Sequence, residues 1–280
     1  MEKNTPQKRK LNKDQLIVLA IIIALTVISW LLLALYGGGG MQGMNMDMTG
    51  GADPQMQAEM DTRLVSSVYT PTMPGFSIFV PMWIVMSIGM MLPTAIPMVF
   101  TFHAISKRRS ELGFKNAPTY LFVLGYAILW AIIGFAFWAA GTLIVYLVGP
   151  GITDWTHNMI GIAVIFAVVG AYQLTPLKSI CLTGCRYPLQ FVLHNWRSGF
   201  GGALTMGMKH GIECIGCCWA LMAVMFPLGM MNLFWMGVLT VVMFLEKNAR
   251  YGALISRVVG VIFAIAGGAL GMVGIAGLIS

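Results

Sequence analysis

The chain has 280 residues, of which 58% are hydrophobic and 10% charged, with a formal net charge of +7 and an isoelectric point near 9.3. A mean hydropathy of +0.80 excludes an ordinary soluble domain, because several uncharged stretches reach the ~20 apolar residues that cross a bilayer. The positive charge is assigned to topology and anionic lipid, with no nucleic acid as partner, because no basic, aromatic-interleaved soluble segment exists.

The apolar runs predict an all-α, polytopic integral membrane helical bundle of about seven transmembrane helices: roughly 16–36, 78–102, 119–148, 158–176, 201–226, 230–245 and 256–279. Three regions follow. Residues 1–36 form a cytoplasmic basic tail and an N-terminal anchor, 37–77 an external Met/Gly-rich flexible loop, and 78–280 a six-helix membrane domain. The first span starts like a signal peptide, but its run from Leu16 to Tyr36 exceeds the usual apolar region and carries no small-x-small cleavage site, so it is read as an uncleaved anchor.

Orientation follows from the basic residues. Those before the first span, Lys107 to Lys115, Lys178 to Lys209 and Lys247 to Arg257 all fall on alternate loops, and only Arg63 lies on the other side. Lys and Arg mark cytoplasmic loops. The N-terminus is thus expected inside and the C-terminus outside, in a multi-pass protein of the plasma membrane.

After the first span comes the glycine joint Gly37 to Gly40 and then MQGMNMDM, with Met41, Met44, Met46 and Met48 among polar neighbours. Packing does not explain thioethers in such company, whereas thioethers select Cu(I) and a flexible loop can wrap a low-coordinate ion. The second span carries Met82, Met86, Met90, Met91 and Met98. Met86 and Met90 belong to a stripe at helical spacing, and Pro93 and Pro97 each remove a backbone hydrogen bond that something else must satisfy in lipid. His103, at its inner end, reads as an interfacial histidine. The fourth span ends in AYQLTPLKSICLTGCR, whose Cys181 and Cys185 share a helical face. C-x3-C alone is a weak signal, but all five cysteines lie within this segment and the next span.

The fifth span holds the densest signal, HGIECIGCC. At about 100° per residue, taking His210 as zero, Cys214 falls near 40°, Cys217 near −20° and Cys218 near 80°. Four soft or borderline ligands share one face of an apolar helix. Thiolates and imidazole with few hard oxygens favour Cu(I), with zinc second, over Mg or Ca. The bland reading is that cysteine packs as a small hydrophobe. Glu213, the one acid deep in a span, is expected to be protonated or paired with Lys209, and Glu246 and Lys247 to form a solvated pair at an interface. Gly267, Gly271, Gly274 and Gly277 make a close-packing face on the last span.

The segments MWIVMSIGMMLPTAIPM, GAYQLTPLKSICLTGCRYPLQF and GALTMGMKHGIECIGCCWALMAVMFPLGMMNLFWM resemble the integral membrane proteins of domain of unknown function (DUF) family 2182 over about 78 to 250. That resemblance implies a multi-span helical protein with suspected metal binding, often discussed as copper-related, and no settled reaction.

The reading at this stage is a soft-metal protein for copper handling, delivery or translocation. The outer methionines capture Cu(I), the second-span methionines pass it inward, His210, Cys214, Cys217 and Cys218 hold it, and Cys181 and Cys185 are the inner acceptor. Its partners are the lipid bilayer and a membrane copper enzyme or copper chaperone. The competing classes are a membrane thiol-disulfide oxidoreductase using Cys214 and Cys217 as a C-x2-C pair, and a structural subunit with cysteines as filler.

Overall fold

A computed structural model describes residues 13–39, 73–148, 159–228 and 232–279. Every element in these stretches is helical. In chain order they are α1 (Lys13–Gly39), α2 (Met73–Met91), a short 3-10 turn (Pro93–Ala95), α3 (Ile96–Glu111), α4 (Thr119–Val148), α5 (Met159–Leu174), α6 (Pro176–Arg186), α7 (Pro188–His194), α8 (Phe200–Ala223), α9 (Met225–Leu228), α10 (Leu233–Asn248) and α11 (Gly252–Ile279). The methionine loop with Met41, Met44, Met46 and Met48 lies outside the described residues.

Four helices are individually long and apolar enough to cross a membrane, and two bent pairs raise the number to six. The one expected span that is not among these six, the sixth in chain order over 230–245, is α10. Its 16 residues rise only about 24 Å, against a hydrocarbon core of about 30 Å. The second span, whose Pro93 and Pro97 are expected to interrupt its hydrogen-bond ladder, bends by 41° between α2 and α3, and the fourth bends by 64° between α5 and α6.

Proline chemistry accounts for both breaks. Pro93 cannot donate to the helix ladder, so α2 stops at Met91 and the chain tightens into the 3-10 turn, where the Thr94 hydroxyl donates to the Met91 carbonyl at 2.8 Å. At the second break Pro176 opens α6 and the Thr175 side chain caps it by accepting from Lys178 N. Each carbonyl or amide freed by a proline must find such a partner where no water is at hand.

Small residues set the helix contacts. α11 lies along α5, where a Cβ on Gly267 would meet the backbone of Ala163 and Ala167 and one on Gly271 would touch Ala163, as the glycine face anticipates. α8 lies along α4 with Gly207 against the Phe122 backbone. α1 rests on α2, its Trp30 indole donating to the Gly89 carbonyl at 3.2 Å. The outer faces of α1, α4 and α11 expose Leu, Ile and Val, whereas the interior gathers sulfur: Met86, Met90, Met91, Cys214, Cys217, Cys218, Met222, Met225, Met236 and Met243 belong to one buried cluster. That inversion suits a bundle solvated by lipid, in which small and soft side chains pack inward.

Candidate metal centre

α8 starts at Gly199, whose φ of +84° favours glycine, and runs unbroken through all four residues of the His/Cys face. His210, Cys214, Cys217 and Cys218 are 3%, 1%, 2% and 1% exposed, so the face singled out by helical phase turns into the bundle. Around it stand α4, α6, the end of α2 and the end of α10.

The sulfurs make a contiguous group. Cys185 Sγ on α6 lies 3.8 Å from Cys217 Sγ on α8, so the two cysteine clusters meet. Cys218 Sγ lies 3.7 Å from Met91 Sδ. The Cys217 and Cys218 thiols donate to the Cys214 carbonyl at 3.1 and 2.8 Å. Cys181 sits at the rim of the group, where a Cβ on Gly216 would come within 2.6 Å of its Sγ. Two glycines, Gly216 facing Cys181 and Gly184 facing the Glu213 carboxylate, let α6 and α8 approach this closely.

Two polar groups complete the centre. Lys247 Nζ, from α10, donates to Cys214 Sγ at 3.1 Å and to Thr94 Oγ1 at 3.0 Å, and lies 4.0 Å from Met91 Sδ. Tyr126 Oη, from α4, is 3.1 Å from the same Cys214 sulfur. Cys214 thus has a cation and a phenol aimed at it, in a setting where the anionic sulfur is the form that ligates metal.

His210 is not drawn into this group. Its ring stacks between Phe122 and Tyr126, with centroids 6.0 and 5.5 Å away, and meets Phe191 edge-on, and both ring nitrogens are buried without a hydrogen-bond partner. Among the described residues no three His, Cys, Asp or Glu side chains converge on one metal-sized position. Met86 and Met90 are buried in the surrounding core, but the thioether touching the cysteines is that of Met91. The helix end imposed by Pro93 is the signal that marks it, because the last residue of α2 faces the break.

One further expectation changes and a second is narrowed. Glu246 and Lys247 are not a solvated pair: they are 2% and 5% exposed and point to different partners, Glu246 bonding Lys178 Nζ at 2.7 Å. The reason is the shortness of α10, which leaves its last turn inside the bundle. Lys209 bonds Asn195 Oδ1 at 3.3 Å instead of Glu213, whose Oε2 is buried against Gly184 without a hydrogen-bond partner. His103 Nδ1 lies 2.9 Å from Thr119 Oγ1.

The fold and this interior define a class: an all-helical bundle with helices of membrane-spanning length, enclosing a buried group of thiols and a thioether beside a lysine. A family model described as PpoB2, copper chaperone, matches residues 80–270, and the chain belongs to that family. The matched stretch runs from α2 into α11 and contains every cysteine. No curated protein and no solved structure matches the chain.

Proposed function

We propose that the chain is a multi-pass protein of the plasma membrane that takes up Cu(I) and hands it, by exchange between sulfur ligands, to a membrane copper enzyme or another copper chaperone. The family supports copper as cargo. The observation that carries the choice of seat is the 3.8 Å between Cys185 and Cys217, since two thiolates on one tetrahedral ion with bonds of about 2.3 Å stand about 3.8 Å apart. Cys214 and Cys218, with Met91 beside them, supply further soft donors, and zinc is the second candidate ion for such a set. Binding exchanges the two thiol hydrogen bonds to the Cys214 carbonyl for bonds to metal and releases the thiol protons. His210, one turn along α8 with free ring nitrogens, is the next donor in line, and Cys181 at the rim is the acceptor nearest the exit.

In this reading Met41, Met44, Met46 and Met48 collect the ion on the external side, Met86 and Met90 line its way in, and the cytoplasmic side is the one carrying the Lys- and Arg-rich loops. The DUF2182 resemblance over about 78 to 250 falls almost wholly within the matched 80–270. Transfer between thioethers and thiolates needs no catalytic base, which suits a chain with so few ionisable groups in its spans.

The test is Cu(I) competition against a chromogenic chelator, performed without oxygen on the purified full chain in detergent. The wild type should hold copper, and Cys214→Ser and Cys217→Ser should weaken it by more than about tenfold. Replacing the four loop methionines by Leu should slow uptake into vesicles while leaving affinity at the buried seat unchanged. Wild-type protein that fails to compete for Cu(I) sinks the proposal.

A further inference from the structure

We propose that Cys185 and Cys217 are a redox-active pair that reduces Cu(II) reaching the seat in place of Cu(I) and is itself oxidised to a disulfide between α6 and α8 that closes the seat. This rests on the copper reading above, and it differs from the C-x2-C pairing of Cys214 with Cys217.

The geometry points to this pair, two thiols from different helices in direct contact. Cys217 has a thiol of a neighbouring helix at 3.8 Å. Cys218 faces the Met91 thioether, which cannot form a disulfide, and Cys214 is held between Tyr126 and Lys247. Cys181 lies against Gly216. A disulfide needs sulfurs about 2.05 Å apart, so closure requires about 1.8 Å of sulfur movement. Gly184 and Gly216 already bring the two helices close together.

The chemistry balances without another reactant. Each of two Cu(II) ions accepts one electron, the Cys185 and Cys217 thiols lose two electrons and two protons, one S–S bond forms, and two Cu(I) ions result. The thiol protons pass to solvent. Closure withdraws two of the thiolates proposed to hold the cargo, so oxidation and release are one event, and a cellular dithiol reductant reopens the seat by exchange. Thiolates stabilise Cu(I) over Cu(II), so the reduction runs downhill where the sulfurs are gathered.

The experiment has two arms on the purified, fully reduced chain in detergent without oxygen. In the first, Cu(I) competition measures the seat alone; failure there removes the copper reading, whatever the second arm shows. In the second, two equivalents of Cu(II) are added, Cu(I) formation is followed with a cuprous-specific chromophore, and the disulfide is located by non-reducing peptide mass spectrometry. The expected result is a Cys185–Cys217 peptide pair formed together with Cu(I), with Cu(I) affinity lowered by more than about tenfold until dithiothreitol restores it. Cys185→Ser should abolish the cross-link, and Cys181→Ser should leave it intact. A cross-link between Cys214 and Cys217 or between Cys181 and Cys185, or unreacted Cys185 and Cys217 in folded wild-type protein that binds Cu(I), overturns the inference while leaving the copper reading standing.

Discussion

Among the described residues two lysines are buried within this bundle, and their surroundings differ in kind. Lys178 is 1% exposed and belongs to a closed polar network: its ammonium donates to Glu246 Oε2 and Gln173 Oε1, Gln173 Nε2 donates to Glu246 Oε1 at 3.1 Å, and Ser256 donates to Gln173 Oε1. Every charge there has its opposite. Lys247, the residue after Glu246, bonds no carboxylate among the described residues; it faces a hydroxyl, a thioether and the Cys214 thiol. The first arrangement joins α5, α6, α10 and α11 into one body. The second leaves a positive charge facing soft ligands, where a thiolate or a negatively charged thiolate–copper complex is the natural counter-ion. Burial alone therefore does not separate scaffold from site; the partner of the buried charge does.

The largest effect should come from the closed network. Glu246→Ala strands the Lys178 ammonium in the interior, and breaking a buried pair in this way costs about 3–5 kcal/mol, visible as a large fall in the thermal midpoint in detergent. Replacing both partners, Lys178→Met with Glu246→Leu, should recover most of that loss, because no unpaired charge remains. If the single and double variants melted alike, the network would not be the clamp described here.

Lys247→Met should behave in the opposite way. A methionine fills the same space beside Met91, so the fold should survive, while Cu(I) affinity falls by about tenfold for want of a compensating charge. Unchanged affinity with lowered stability would place Lys247 in the same class as Lys178.

A smaller effect is expected where the sulfur group meets α6. Gly216→Ala puts a methyl within 2.6 Å of Cys181 Sγ, which must turn aside at a cost of about 1 kcal/mol. Cys181 should then react faster with an alkylating reagent, followed by mass spectrometry, and an unchanged rate would remove it from the rim. The smallest effect belongs to the exposed pair of Lys107 with Asp14, whose side chains are 41% and 51% exposed. Lys107→Ala should leave the melting midpoint where it is, since such pairs are screened by water and salt.

Much of this molecule follows from residue order alone. The apolar runs dictate a helical bundle, because only helices or closed barrels satisfy every backbone group in lipid, and the spacing of His210, Cys214, Cys217 and Cys218 puts them on one face whatever that face meets. The prolines announce breaks, and the glycines of the last span announce close packing. Tertiary structure alone decides which elements face one another. Hydropathy could not say that α10 ends inside the bundle, so Glu246 and Lys247 looked like an interfacial pair and turned out to serve two different centres. Nor could spacing along one helix show that Cys185 of α6 reaches Cys217, that Met91 rather than Met86 or Met90 touches the cysteines, or that His210 is sandwiched between aromatic rings. Periodicity reports the direction in which a side chain leaves its own helix, whereas a ligand set is a relation between helices, fixed by the bends at Pro93 and Pro176 and by the glycines that set how closely the helices pack.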